Sequence, residues 1–226
     1  HLSIRRQRQM CIRDRAGTEF LDLISPQYIS DLVSWGAIGA RTAESQVHRE
    51  LTSGLSCPVG IKNSTNGEYK PAIDAIKSAK YQHVFLGATK QGKVAIFKTS
   101  GNDDTHLILR GGKNPNYDKG SVHACIKSLS ESNINSNIMV DFSHGNSQKN
   151  HENQAKVCSS ICSQIANGNK NIVGVMIESN LQAGNQKISN QMEYGKSITD
   201  ACVDFEETKV FLENLSTAVQ KRREIG

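Results

Sequence analysis

No run of apolar residues in this chain of 226 approaches the ~20 needed to cross a bilayer, which excludes a protein spanning a membrane by helices. No Cys-x-x-Cys pair occurs among the six cysteines, Cys11, Cys57, Cys125, Cys158, Cys162 and Cys202. That argues against a disulfide framework and for reduced thiols, so the chain is read as cytoplasmic. Cys158 and Cys162 lie one helical turn apart and point the same way, into the core as small apolar residues. No Gly-x-Gly-x-x-Gly turn is present, which removes the phosphate cradle expected of an open, doubly wound sheet. The body also lacks charge of one sign. Its formal net charge is +5, but residues 1–15 hold five arginines and one aspartate and carry +4 of it. The remainder is +1, with 22 basic and 21 acidic side chains, and this excludes nucleic-acid binding by the body of the chain. What is present, 37% hydrophobic and 22% charged residues, is the composition of a globular domain with a sizeable core.

Residues 1–15 (HLSIRRQRQMCIRDR) show no period and no helix cap, and read as an extraneous leader rather than a transit peptide. Residues 16–226 then form one domain that opens in mid-fold. From Gly17 strands and helices alternate. Strands are expected at 19–24, 36–40, 58–61, 84–88, 138–144 and 172–178. Helices are expected from Ser25-Pro26 through Trp35, at 42–51 with Gly54 as its stop, and at 70–80, 119–131, 150–167 and 205–223. Segments 93–99 and 106–110 flank the turn-rich Ser100-Gly101-Asn102-Asp103-Asp104, which predicts an inserted β-hairpin. An irregular loop is expected up to Thr199. Alternation of this kind means parallel pairing. The fold class is α/β: an incomplete (β/α)8 TIM barrel with about six of its eight strands.

The stretch Ile138-Met139-Val140-Asp141-Phe142-Ser143-His144 runs from buried apolar residues straight into a polar end. The pattern recurs at Ile172-Val173-Gly174-Val175-Met176-Ile177-Glu178, and a third polar cluster stands at Ser197-Ile198-Thr199-Asp200. Each alone is an ordinary strand-terminal polar residue. The repetition makes His144, Glu178 and Asp200 candidate ligands for a divalent metal. Three cations also stand at strand ends: Arg41 after Gly39-Ala40, Lys62 after Ile61, and Arg110 before Gly111-Gly112. Most such cations are solvated surface charges. Small flanking residues let backbone N–H groups approach an anion that a guanidinium binds with two bonds. Converging on one rim, the three predict a phosphorylated, carboxylated substrate.

Several stretches together resemble one family. They are Gly17-Thr18-Glu19-Phe20-Leu21-Asp22, SWGAIGARTAESQVH at 34–48, GLSCPVGIKN at 54–63, ILRGGK at 108–113, DFSHGN at 141–146, VMIESN at 175–180 and YGKSITDAC at 194–202. The chain resembles the class I 3-deoxy-D-arabino-heptulosonate 7-phosphate (DAHP) synthases over essentially all of 17–223. The resemblance implies condensation of phosphoenolpyruvate with erythrose 4-phosphate, the first step of the shikimate pathway towards aromatic amino acids. It implies that Arg41 and Arg110, with the backbone of Gly39 and Ala40, hold the phosphoenolpyruvate phosphate. Lys62 would face the carboxylate and Glu19 would line the same pocket. His144, Glu178 and Asp200 would be three of four ligands to a divalent metal of the Mn, Fe, Co or Zn type, with Lys62 and His144 at the chemistry and Asp141 supporting the site. Pro26, Gln27, Ser56, Phe85 and Gly87 would form an aromatic amino acid effector pocket, with Gly87 pointing to tyrosine over phenylalanine. The intact parent would be a homo-oligomer.

The family's Gly-Pro-Cys motif, which supplies the fourth ligand, and its Lys-Pro-Arg-Thr motif do not occur in this sequence. The expectation is a truncated synthase, inactive and poorly folded as it stands, with a raw sheet edge that invites aggregation. The rival reading is a non-catalytic phosphometabolite-binding protein, which would have no need of His144, Glu178 and Asp200 together.

Overall fold

The computed structural model describes residues 15–226; the leader assigned to 1–15 lies, but for Arg15, outside them. Two compact units divide the chain, one ending at Ser64 and resuming over Tyr69–Leu107, the other made of Thr65–Glu68 and Ile108–Gly226.

In the first unit the parallel strands β1 (Ala16–Glu19), β2 (Val33–Ile38) and β3 (Val59–Lys62) pair in chain order, with Glu19 opposite Ala37 and Ile38 opposite Ile61. All four residues of β3 are buried, as expected of a parallel strand covered on both faces. β1 stops at Glu19 instead of running on to Ile24. The Asp22 carboxylate accepts hydrogen bonds from Ile24 N, Ser25 N and Ser25 Oγ at 2.7, 2.7 and 2.6 Å, and this local turn wins over strand propensity. Those bonds hold the Asp22 carboxyl below its usual range. The helix that follows is a correction to expectation. α1 (Pro26–Ile29) is a single turn, a 3-10 turn covers Ser30–Leu32, and Val33 to Trp35 belong to β2. Pairing of Trp35 with Gly17, together with the β-branched Val33, overrides the Ser-Pro start signal. Gly36 is required there, because a Cβ would stand 2.4 Å from the buried Phe20 ring.

α2 (Gln46–Gly54) packs on α3 (Lys70–Ala79), whose Ala72, Ile73, Ala75, Ile76 and Ala79 are buried. The inserted hairpin exists but is built from other residues than expected. β4 (Val84–Ala88) and β5 (Val94–Lys98) pair antiparallel, with Leu86 opposite Ile96. Their turn closes through Gly92 N to Thr89 O at 2.9 Å, with Gly92 at φ +71°. Val84, Leu86, Val94 and Ile96 all stand on the exposed face of this hairpin.

β6 (Thr105–Leu109), expected as a hairpin arm, is a strand of the main sheet. Buried Asn102 makes the difference: its side-chain amide donates to Thr52 O, Leu55 O and Cys57 O at 3.2, 3.2 and 3.1 Å, so the supposed turn is tied to the end of α2. The sheet order is β1-β2-β3-β6-β7-β8, chain order once the hairpin is set aside. That is the order of an incomplete (β/α)8 barrel, whereas a doubly wound sheet reverses direction at a switch point.

In the second unit β7 (Ile138–Asp141) pairs parallel with β8 (Ile172–Met176). α4 (Lys119–Glu131) starts on Asp118, whose carboxylate accepts from Gly120 N and Ser121 N. α5 (Gln154–Ala166) lies against α6 (Phe205–Ile225), and the ring of Phe142 meets Phe211 edge-on at 6.4 Å. The expected stripe of Val157, Ile161 and Ile165 is buried. Cys158 and Cys162 do point the same way, sulfurs 3.9 Å apart, and burial pushes the Cys158 thiol up to about 12. The five cysteines of the described residues are free thiols. The expected loop before Thr199 contains a small paired element, β9 (Gln182–Asn185) with β10 (Lys196–Ser197). No described helix is long and apolar enough to cross a membrane.

Candidate metal centre and ligand sites

The second unit brings His144, Glu178 and Asp200 together, with one ligand atom from each inside 4.8 Å of the others. His144 follows β7 and Glu178 follows β8. Asp200 follows β10 and is placed by a double backbone pairing, Gly184 N to Cys202 O at 2.8 Å and Cys202 N to Gly184 O at 3.1 Å. Asn185 Nδ2 also donates to Thr199 O at 2.8 Å. Sequence reading had no signal for this support, because the pairs join residues far apart in a polar stretch.

The orientation of His144 is set from below. Fully buried Asp141 accepts from Ser143 N at 2.9 Å and Ser143 Oγ at 2.6 Å through Oδ1, and its Oδ2 stands 2.9 Å from His144 Nδ1. Ser143 Oγ, whose own proton goes to Asp141, stands 2.8 Å from His144 Nδ1 and so accepts the Nδ1 proton, which leaves the Nε2 lone pair free for a metal. Nε2 lies 3.5 Å from Glu178 Oε1. His144 itself has φ +56°, the left-handed region that costs a non-glycine residue of order 1 kcal/mol or more. Surrounding bonds enforce it: Lys149 N donates to His144 O at 2.9 Å, and Gly145 N to Arg110 O at 3.0 Å.

Arg110 shares a cleft of about 70 Å³ with His144, Glu178, Asp200 and Lys149. Its glycines are there for close approach: a Cβ on Gly111, at φ +72°, would lie 2.5 Å from the Asn146 backbone nitrogen. Two buried asparagines join this loop to β7. Asn146 Nδ2 donates to Leu109 O at 3.2 Å and Asp141 O at 2.8 Å, while its Oδ1 accepts from Asn116 N at 2.8 Å. Asn116 Oδ1 in turn accepts from Gly111 N at 2.8 Å. Neither asparagine was singled out from the sequence. A third unforeseen residue, buried Gln154, exchanges two bonds of 3.0 Å with the Glu178 peptide. Its signal was available: Gln154 stands at helical spacing from Val157, Cys158, Ile161 and Ile165, a polar residue on an apolar stripe.

The remaining candidates lie in the first unit. Glu19, the segment Gly39-Ala40-Arg41 and Lys62 leave the same end of three neighbouring parallel strands. Glu19 and Gly39 are in contact, since a Cβ on Gly39 would fall 2.2 Å from a Glu19 carboxyl oxygen. Arg41 is exposed, whereas Lys62 is buried. All five effector candidates, Pro26, Gln27, Ser56, Phe85 and Gly87, line one cavity of about 400 Å³. Phe85 and Phe97 stack at 5.9 Å along one wall, and a Cβ on Gly87 would meet the Phe97 ring at 2.9 Å.

The sequence profile of the DAHP synthetase I family matches residues 8–213. The Phe-sensitive phospho-2-dehydro-3-deoxyheptonate aldolase of Escherichia coli (strain K12) is 55% identical over 210 residues, covering 92% of this chain and 60% of that protein. The Trp-sensitive enzyme of Salmonella typhimurium (strain LT2) is 51% identical over 207 residues, covering 91% and 60%. Among solved structures, phospho-2-dehydro-3-deoxyheptonate aldolase from Francisella tularensis SCHU S4 superposes with a TM-score of 0.90 at 57% identity, over 92% of this chain and 61% of that one. The chain thus spans about 60% of the length of the curated relatives it matches.

Proposed function

The chain belongs to the DAHP synthetase I family, and from that premise we propose that its residues serve the condensation of phosphoenolpyruvate with erythrose 4-phosphate to DAHP and phosphate. The observation that carries the reading is the His144, Glu178 and Asp200 cluster, with Arg110 in the same cleft. The donor set of one imidazole nitrogen and two carboxylates suits a divalent first-row metal such as Mn, Fe, Co or Zn, and Ser143 leaves Nε2 of His144 ready to bind it. A metal bound there would polarise the aldehyde carbonyl as a Lewis acid. The side chains do the rest. Arg41 and the backbone of Gly39 and Ala40 hold phosphate oxygens, Arg110 adds a second guanidinium, Lys62 faces the carboxylate, and Glu19 lines the pocket. Held so, C3 of phosphoenolpyruvate attacks the aldehyde carbon, water adds at C2, and phosphate leaves. Prior fixing of the anion removes much of the entropy cost of that encounter.

The cavity of the first unit is read as the aromatic amino acid site, with tyrosine favoured over phenylalanine. The relatives named Phe-sensitive and Trp-sensitive support an aromatic effector. A cytosolic setting and a homo-oligomeric parent complete the reading.

Titration calorimetry of the purified chain with Mn²⁺, then with phosphoenolpyruvate, tests the centre. One Mn²⁺ per chain, lost in His144→Ala, is the expected result; no Mn²⁺ binding by the wild type overturns the reading. Calorimetric binding of phenylalanine but not tyrosine would overturn the effector preference.

A further inference from the structure

The last rung between β7 and β8 is Phe142 N to Met176 O at 2.9 Å. Glu178 lies two residues beyond it. There a side chain takes the place of a strand partner: Gln154 Nε2 donates to Glu178 O at 3.0 Å, and Glu178 N donates to Gln154 Oε1 at 3.0 Å. This is the two-bond exchange a neighbouring strand would make, supplied by a single amide. Gln154 is 0% exposed, so every polar atom it carries had to find a partner inside the protein. Leu or Met would fill its place on the apolar stripe of α5 without that requirement. Both of its polar atoms are committed to the peptide of one proposed ligand.

The hold reaches a second ligand. Glu178 O also accepts from Val203 N at 3.0 Å, and Asn180 N donates to Val203 O at 3.0 Å. Val203 is itself fully buried and follows Asp200 by three residues. The backbone carrying Asp200 is therefore anchored on the peptide that Gln154 fixes.

We propose that Gln154 is a positioning residue of the metal centre, fixing Glu178 directly and Asp200 through Val203. The proposal rests on the metal reading of that cluster. Partners that orient metal ligands are worth about 10- to 100-fold in affinity. Gln154→Met removes both bonds, and Mn²⁺ affinity by calorimetry is expected to fall by about that factor. Gln154→Glu keeps an acceptor for Glu178 N but loses the donor to Glu178 O, so its loss is expected to be smaller. In metal-free protein the Glu178 amide should exchange with deuterium faster in Gln154→Met than in the wild type. The control is Gln164→Met on the same helix, whose buried amide donates to Tyr117 O at 2.7 Å. It should lower the melting temperature and leave Mn²⁺ affinity unchanged.

Unchanged Mn²⁺ affinity in Gln154→Met, or an equal fall in Gln164→Met, overturns the proposal. Should Gln154→Met fail to fold, wild-type affinity in Gln154→Glu overturns it alone. If the wild type binds no Mn²⁺, the metal reading has failed, and the exchange experiment still decides whether Gln154 holds the Glu178 peptide. Wild-type protection of that amide in Gln154→Met overturns the positioning claim on its own.

Discussion

The first unit's cavity is roomy, about 400 Å³, and mixes apolar walls such as Leu51, Leu55, Phe85 and Phe97 with polar ones such as Gln27, Glu50 and Lys98. The second unit's cleft is narrow, about 70 Å³, and is lined almost wholly by charged and polar side chains. Beneath the cleft, Asp141, Asn146 and Gln154 are buried and each makes two or more hydrogen bonds to the segments that carry the candidate ligands and Arg110. Beside the larger cavity, buried Asn102 holds the backbone on either side of Ser56 through its bonds to Thr52 O, Leu55 O and Cys57 O, while Phe85 stands on the hairpin with its ring stacked on Phe97. A space that recognises a ring by shape needs walls. A centre that must present nitrogen and oxygen atoms at fixed separations needs its backbone pinned, and buried polar groups do that at the risk of large penalties if any partner is lost.

The largest expected effect sets the two regions furthest apart. His144→Ala should weaken Mn²⁺ binding by more than about 100-fold, beyond the range for supporting residues. The fluorescence of Trp35, the one tryptophan and a member of the first unit, should stay as it was. A change in Trp35 emission would break the comparison. Asp141→Asn comes next. It keeps the shape but removes the charge that holds the Ser143 hydroxyl proton away from Nδ1, so Mn²⁺ affinity should fall about 10- to 100-fold with the fold retained, read by calorimetry and circular dichroism.

The first unit has a titration of its own. Trp35 Nε1 donates to His106 Nε2 at 3.1 Å, and burial pulls the His106 pKa down from 6.5 to about 4. The unfolded chain takes up that proton near pH 6.5, the folded one only near pH 4. The neutral imidazole's contribution is therefore complete above pH 6.5 and is lost as pH falls towards 4, by about 2 kcal/mol after allowance for partial exposure. Trp35 emission should titrate near pH 4, and His106→Gln should remove the transition; a midpoint near 6.5 would mean the ring is solvated. The smallest effect expected is in the cavity. Phe85→Ala removes one ring of the stacked pair and should weaken tyrosine binding about fivefold, consistent with an aromatic contact worth about 1 kcal/mol. No change would show that shape alone does not select the ligand there.

Much of this was legible in the sequence for stated reasons. Strands that carry buried apolar runs into polar ends, such as 138–141 and 172–176, announce both the parallel sheet and the polar residues His144 and Glu178, which the structure brings together with Asp200. The inserted hairpin was visible as a break in rhythm, but its arms were misassigned. Asn102 looks like a turn former, and only its three bonds to α2 and the segment beyond reveal that the chain there leads back into the sheet. Trp35 was lost to a helix because Ser25-Pro26 is a strong start signal, while the parallel pairing that claims it comes from residues on either side in space. The side chains under the metal centre were hidden for a related cause. Asn116 reaches Asn146 across 30 positions and Gln154 reaches Glu178 across 24, and no local pattern encodes a partner so far away.

The left-handed backbone at His144 bears on transplantation. A protein engineer copying this centre would naturally graft one histidine and two carboxylates onto a regular scaffold. Idealised backbones admit no non-glycine residue at positive φ except by intent, yet φ +56° is what aims this imidazole. The portable unit is thus the whole run from Asp141 to Lys149, with its left-handed turns at His144, Gln148 and Lys149, and a graft of the three proposed ligands alone would carry their chemistry without their aim.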